Sequence, residues 1–273
     1  MPSRATPDGS GRGGGGPSPR FAARRGLLSL AVAIGWGLSP GVATERARIT
    51  ILHVNDSHSQ LTPFGPRQDP LQAPPYGGAA RLASLVDRLR RENPGALLLH
   101  AGDFLTGTFF SQRYAGMPEL RVLRRLRVDA LTLGNHEFDR DAGGLNLSLD
   151  RAWGAGRQAF PLLAANLSYD AGFREARKLG QRVRPSALVK RNGLRIGILG
   201  LTTPDIPRLA LDGVAVLADT VSVASRHVPR LRRQGAEAIV LLSHLGLARD
   251  TAIARRVEGI DVQRVTMRRF TRA

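Results

Sequence analysis

Cysteine is absent from the 273 residues, which rules out disulfides and thiolate metal sites. Any metal would have to be held by His, Asp, Glu, Asn or Gln. Lysine is nearly absent too: of 40 basic residues, all but Lys178 and Lys190 are arginine. Aromatic residues make up only 5%. The formal net charge of +18 could signal a polyanion partner. The arginines, however, are scattered over every predicted helix, as in RLASLVDRLRR and RHVPRLRRQ. Scattered charge with few aromatics reads as a compositional bias, so no nucleic-acid partner is expected.

Long apolar runs are missing as well. The stretch Gly26 to Leu38 has 13 residues, short of the roughly 20 a membrane-spanning helix needs. Preceded by Arg24-Arg25 and followed by small residues up to Ala43, it has the layout of a secretory signal. The twin arginines are compatible with the twin-arginine export route, although Ala23 in front of them departs from its pattern. Residues 1–43 are thus expected to be a disordered leader plus signal peptide. The folded remainder is expected to be periplasmic or secreted, with no stable membrane insertion after cleavage.

What the chain does have is alternation. ITILHV (49–54), ALLLH (96–100), DALTLG (129–134), PLLAANL (161–167) and EAIVLLSH (237–244) are short apolar runs that predict strands. GGAARLASLVDRLRRENPG spaces Leu82, Leu85, Val86 and Leu89 as an amphipathic helix. MPELRVLRRLR, TVSVASRHVPRLRRQG and LARDTAIARRVEG predict further helices. ALVKRNGLRIGILGL is two runs joined at Asn192-Gly193, the signal for a hairpin. The expectation is an α/β fold with a mixed sheet buried on both faces. The Pro-rich stretch 61–78 reads as a long loop.

Ligand sites of α/β sheets lie beyond the carboxyl ends of the strands. Reading each exit gives Asn55-Asp56-Ser57-His58 after the first strand and Gly102-Asp103 after the second. Gly134-Asn135-His136-Glu137 follows the third, and Ser243-His244 a later one. Four strands expected in one sheet therefore end in oxygen or imidazole groups. Such groups suit Mg²⁺ and Mn²⁺, or Zn²⁺, Co²⁺ and Fe where imidazole takes part. A central carboxylate can bridge two ions about 3.5–4 Å apart. Asp103, preceded by a glycine, is the candidate bridge, with Asp56 and His58 serving one ion and Asn135 and His244 the other. His53 and His100 lie within strands and read as packed or hydrogen-bonded core residues, His227 as solvent-exposed, and Glu137 as a cap on the following loop.

ILHVNDSH, LLLHAGDFLTGT, ALTLGNHEFD and VLLSHLG, in that order, resemble the blocks of the calcineurin-like metallophosphoesterases, in the branch of bacterial 5′-nucleotidases and UDP-sugar hydrolases. GGAARLASLVDRLR, AANL and GILGLTTPD resemble the connecting segments, and the resemblance spans roughly residues 48 to 262. It implies a four-layer sandwich of mixed sheets flanked by helices. It also implies two divalent metal ions, one on Asp56, His58 and Asp103 and the other on Asp103, Asn135 and His244. His136 would then not be a ligand: it would face the phosphate, oriented by Asp139, while a metal-activated hydroxide attacks phosphorus in line. The implied substrate is a nucleotide or other small phosphate ester.

The family continues with a Gly-His-x-His block that supplies one more ligand to each ion. Here VEGIDV is followed by QRVTMRRFTRA, and no histidine follows His244. The expected domain organisation is a partial metallophosphoesterase domain over 44–262, incomplete at its C-terminus, with an aberrant tail at 263–273. Two readings remain. The tail is a frameshift artefact of an active enzyme's gene, or the fragment is real and binds metal weakly. Competing functions are a non-catalytic Arg-rich polyanion-binding fragment and a thiosulfate-releasing hydrolase of the same family.

Overall fold

The computed structural model describes residues 48–64, 76–154, 158–206 and 212–264. The leader, most of the Pro-rich loop and everything after Arg264 lie outside the described residues. Strands β1 (Ile51–Val54), β2 (Leu97–His100), β3 (Ala130–Thr132) and β4 (Leu162–Leu163) are joined in space by β6 (Val183–Arg184). Together they make a five-stranded sheet in which every pairing is parallel. The short strand β5 (Leu167–Tyr169) pairs, among the described residues, with β9 (Val214–Val216), antiparallel. A second sheet has the order β11 (Val262–Arg264), β10 (Ala238–Ser243), β8 (Leu194–Leu201), β7 (Ser186–Arg191), with only the β7–β8 pair antiparallel. That pair is the hairpin expected at Asn192-Gly193. Both turn residues have left-handed φ, 47° and 81°, as a two-residue type I′ turn requires.

Side-chain alternation sorts the strands into layers. Leu97 and Leu99 of β2, Ile196 and Ile198 of β8, and Val240 and Leu242 of β10 meet between the two sheets. The opposite faces go to helices. Leu98, Leu131 and Leu162 pack with helices α1 (Ala79–Glu92), α3 (Met117–Arg125), α4 (Asp141–Trp153) and α5 (Arg174–Gly180). The short α2 (Phe109–Tyr114) precedes α3. Leu199, Ile239 and Leu241 pack with α6 (Thr220–Arg233) and α7 (Leu247–Arg256). The order is helix, sheet, sheet, helix, which is the expected four-layer sandwich. Each fully buried leucine in it contributes about 1.5–3 kcal/mol. This double burial is why the strands read as continuous apolar runs.

Some expectations change. The four site strands do not share one sheet: β1, β2 and β3 belong to the first and β10 to the second. PLLAANL is not one strand either. It breaks at Ala164, after which Ala165 N donates to Gly200 O of the other sheet at 2.8 Å. Residues 263 and 264, read as lacking a strand pattern, extend β11 along β10.

The sheets approach closely at Gly200, where a Cβ would run into the Leu163 side chain and come within 2.7 Å of its backbone carbon. Gly200→Ala should therefore lower the free energy of unfolding by about 1–3 kcal/mol. Gly172→Ala, on an exposed turn, should change it by less than about 0.5 kcal/mol. Urea midpoints measure both, and equal midpoints would contradict the close approach.

Candidate metal centre

Beyond the ends of β1 and β2 the two loops keep running side by side. Asp56 N donates to Gly102 O (3.1 Å), His58 N to Asp103 O (3.0 Å) and Ser59 N to Phe104 O (3.1 Å). This ladder is built from unusual backbone: Asp56, His58, Ser59, Asp103 and Thr106 all have φ between 40° and 60°. They are half of the ten non-glycine residues in that region among those described, so strain is concentrated at the strand exits, as at functional sites generally. Two glycines let the exits converge. A Cβ on Gly102, whose φ is 94°, would meet Gly134 N at 2.5 Å and His244 Nδ1 at 3.0 Å. A Cβ on Gly134 would strike Asp103 Oδ1.

Asp103 is the buried centre of the arrangement. Its Oδ1 accepts the His136 backbone N–H at 3.0 Å. Its Oδ2 lies 3.2 Å from His244 Nε2 and 3.8 Å from His58 Nε2. His244, 0% exposed, gives its Nδ1 to Ala101 O at 2.7 Å. His58 Nδ1 faces Thr106 O at 3.2 Å and Leu105 O at 3.3 Å. A carbonyl only accepts, so both Nδ1 atoms carry hydrogen. In the neutral rings the Nε2 lone pairs then face the Asp103 carboxylate. His244 Nε2 is within hydrogen-bond range of Asp103, but in the neutral ring it has no hydrogen to give, and it is left buried with no hydrogen-bond partner.

That orphaned atom is what a metal ligand looks like without its ion: a lone pair fixed by a backbone acceptor on the other nitrogen and aimed at an anion. The charges agree. Burial would lower the pKa of His244, but the Asp103 carboxylate outweighs it and carries the imidazole up to about 9. Burial pushes Asp103 up, and His244 with the His136 amide more than reverses this, leaving it below the usual carboxylate range. Asp56, 4.0 Å from His58 Nε2, is raised by burial despite the hydrogen bond from Asn55. Positive charge is favoured at this point, as a proton or as a metal ion.

The potential ligand atoms fall into two tight sets, Asp56–Asp103–His244 and His58–Asp103–His136, each within 4.8 Å. Asp103 belongs to both, as a bridge would. The sets pair Asp56 with His244 and His58 with His136, whereas the sequence grouped Asp56 with His58. Asn135 opens the helical turn His136–Phe138, and its carbonyl accepts Phe138 N at 3.0 Å. His136 stands edge-on to His58, ring centres 5.0 Å apart, and gives Nδ1 to Asp139 Oδ2 at 2.7 Å. Burial lowers its pKa, but Asp139 and Asp103 prevail and raise it.

Two positioning groups escaped the sequence reading in part. Glu137 caps not the following loop but the one after β2. Its buried carboxylate accepts Gly134 N (2.7 Å) and Asp103 N (2.8 Å) on Oε2, and Phe104 N (2.8 Å) and Leu105 N (3.2 Å) on Oε1. Burial and Asp103 push its pKa up, yet both oxygens are taken by donors. His100 is hydrogen-bonded core as expected, and also a strut. Its Nδ1 accepts Gly102 N–H (3.2 Å), so Nε2–H donates to Ser57 Oγ (3.0 Å), holding the residue between Asp56 and His58. Burial lowers its pKa to about 3, which keeps it neutral. His227, on α6, is half-buried.

Facing sheets whose strand exits gather carboxylates and imidazoles around one buried aspartate define an α/β fold of the metallophosphoesterase class. Residues 49–262 match the calcineurin-like phosphoesterase family, and the chain belongs to it. That family uses divalent metals. The chain is 36% identical to the probable 5′-nucleotidase of Treponema pallidum (strain Nichols), over 78% of this chain and 35% of that protein. It is 32% identical to the snake venom 5′-nucleotidase of Crotalus adamanteus, over 89% and 41%. Among solved structures, the 5′-nucleotidase precursor of Thermus thermophilus superposes with a TM-score of 0.68 at 34% identity, covering 80% of this chain and 41% of that one. The chain thus spans well under half the length of these relatives.

An acceptor-only carboxylate holding four amides cannot be replaced isosterically. Glu137→Gln turns one oxygen into a donor facing two N–H groups, and should cost about 1–3 kcal/mol in an unfolding titration. Unchanged stability would mean that Glu137 is protonated or that the loops hold without it.

Proposed function

We propose that this chain is the metal-binding part of an exported phosphoesterase that hydrolyses nucleotides or related small phosphate esters in the manner of a 5′-nucleotidase, using two divalent ions that Asp103 and the groups around it would hold. The observation that carries the reading is the Asp103 carboxylate set against the Nε2 atoms of His58 and His244, an arrangement that is repulsive between neutral rings and becomes attractive around cations. Asp56, His58, Asp103, Asn135 and His244 would hold the ions; their native identity among Zn, Mn, Mg, Co and Fe is left open by a mixed oxygen and nitrogen donor set. Divalent ions bound there supply Lewis acidity toward phosphoryl oxygens.

The chain's own contribution to the chemistry is His136. With Nδ1–H committed to Asp139, its Nε2 is the face left for a substrate, and the Asp139 carboxylate beside the ring favours the donor form. A cationic donor fixed in place before reaction is suited to charge developing on a phosphate. Asp139 orients that ring and would not touch the substrate. The 5′-nucleotidase relatives support a nucleotide substrate. Export is supported by the layout of residues 24–43. The domain reading belongs to the same proposal: a leader to 43 and a metallophosphoesterase segment from 44, whose last described strand runs past 262 to Arg264.

Phosphate release from AMP and from p-nitrophenyl phosphate tests this. Asp103→Asn should lower turnover by at least ~10²-fold, beyond the 10–100-fold typical of losing a ligand's supporting partner. Dialysis against a chelator should abolish turnover, and one divalent ion species should restore it. Turnover that survives both the substitution and the chelator would sink the site.

A further inference from the structure

Thr106 is tied to both of the imidazoles that approach Asp103 from the exposed side. Its carbonyl accepts His58 Nδ1–H at 3.2 Å. Its hydroxyl donates to Asp139 Oδ2 at 2.6 Å, and the same oxygen accepts His136 Nδ1–H at 2.7 Å. The residue does this from a left-handed backbone, φ 60°, a conformation a β-branched side chain rarely adopts. Gly107 beside it, φ 124°, brings the loop so close to His58 that a Cβ there would come within 2.5 Å of His58 O.

We propose that Thr106 is a positioning residue that couples the metal-facing His58 to the substrate-facing His136, the carbonyl fixing one ring and the hydroxyl, through Asp139, fixing the other. The inference rests on the site reading above. The hydroxyl is needed because the Asp139–His136 pair is wet. Their side chains are 39% and 35% exposed, so water competes for the carboxylate and the imidazole alike. A carboxylate oxygen pinned by a second donor cannot swing away from the ring. His136 Nδ1 then keeps its acceptor, and Nε2 stays turned toward the place where charge would develop. Thr and Ser can supply that donor from Cβ; Val, equal to Thr in shape and in backbone cost, cannot.

Three variants of the whole chain, Thr106→Val, Thr106→Ser and, should Val fail to fold, Thr106→Ala, decide the matter. The first readout is solvent exchange of the imidazole Nδ1–H proton of His136 by NMR, assigned by its loss in His136→Gln. It should be seen in the parent chain and in Thr106→Ser, and should exchange at least about 3-fold faster or vanish in Thr106→Val. The second is metal-loaded turnover. Val should lose about 3- to 10-fold in kcat, the worth of one such hydrogen bond, with KM and cobalt affinity within about twofold, while Ser retains most of the rate. Equal losses in Ser and Val, or unaltered exchange in Val, would overturn the coupling. If the parent chain shows no turnover, the proposed function fails on its own and the exchange measurement still decides the role of Thr106.

Discussion

A carboxylate oxygen facing the lone pairs of two imidazoles is repelled by both unless something positive lies between them. Around Asp103 the fold enforces that geometry rather than relaxing it. Backbone carbonyls claim the Nδ1 atoms of His58 and His244, the His136 amide claims the other carboxylate oxygen, and two glycines close the gap. Burial of His244 and Asp103 removes the water that would soften the conflict. The strained loops after β1 and β2, the four-amide grip of Glu137 and the His100 strut all serve to keep these few atoms confronted. Such strain persists only where surrounding structure over-determines it.

Much of this was legible in the sequence, because the signals are local. Apolar runs such as ALLLH mark strands buried on both faces, and Asn192-Gly193 specifies its own turn. The glycines before Asp103 and Asn135 signal close backbone approach, and the positions straight after the runs are where α/β sheets expose chemistry. That Asp56, His58 and Asp103 would converge followed from strand direction, since parallel strands of one sheet send their exits to the same edge; His244 joins them from the facing sheet.

What stayed hidden was non-local or was masked by composition. Helix α4 carries Gly143 and Gly144 in its first half, which blunts the apolar period; its core contacts through Leu145 and Leu149 rather than its propensity hold it. The split of site strands between two sheets could not be read from runs that look alike whichever partner they choose. Glu137 looked like an ordinary cap because its four donors come from 32 to 34 residues back in the chain and from Gly134, a partnership that exists only once the loops have met. His100 could not be assigned a tautomer until Gly102 N–H was seen pointing at its ring.

The placement of His244 has a further consequence. It projects from β10 of the second sheet, while Asp103, Asp56 and His58 follow strands of the first. An ion held between them would be a rivet through the seam, set beside the His244 Nδ1–Ala101 O hydrogen bond and the apolar contacts that join the two layers. Occupancy and the cohesion of the sandwich would then be one equilibrium, so that every increment of binding energy is also an increment of resistance to the layers coming apart.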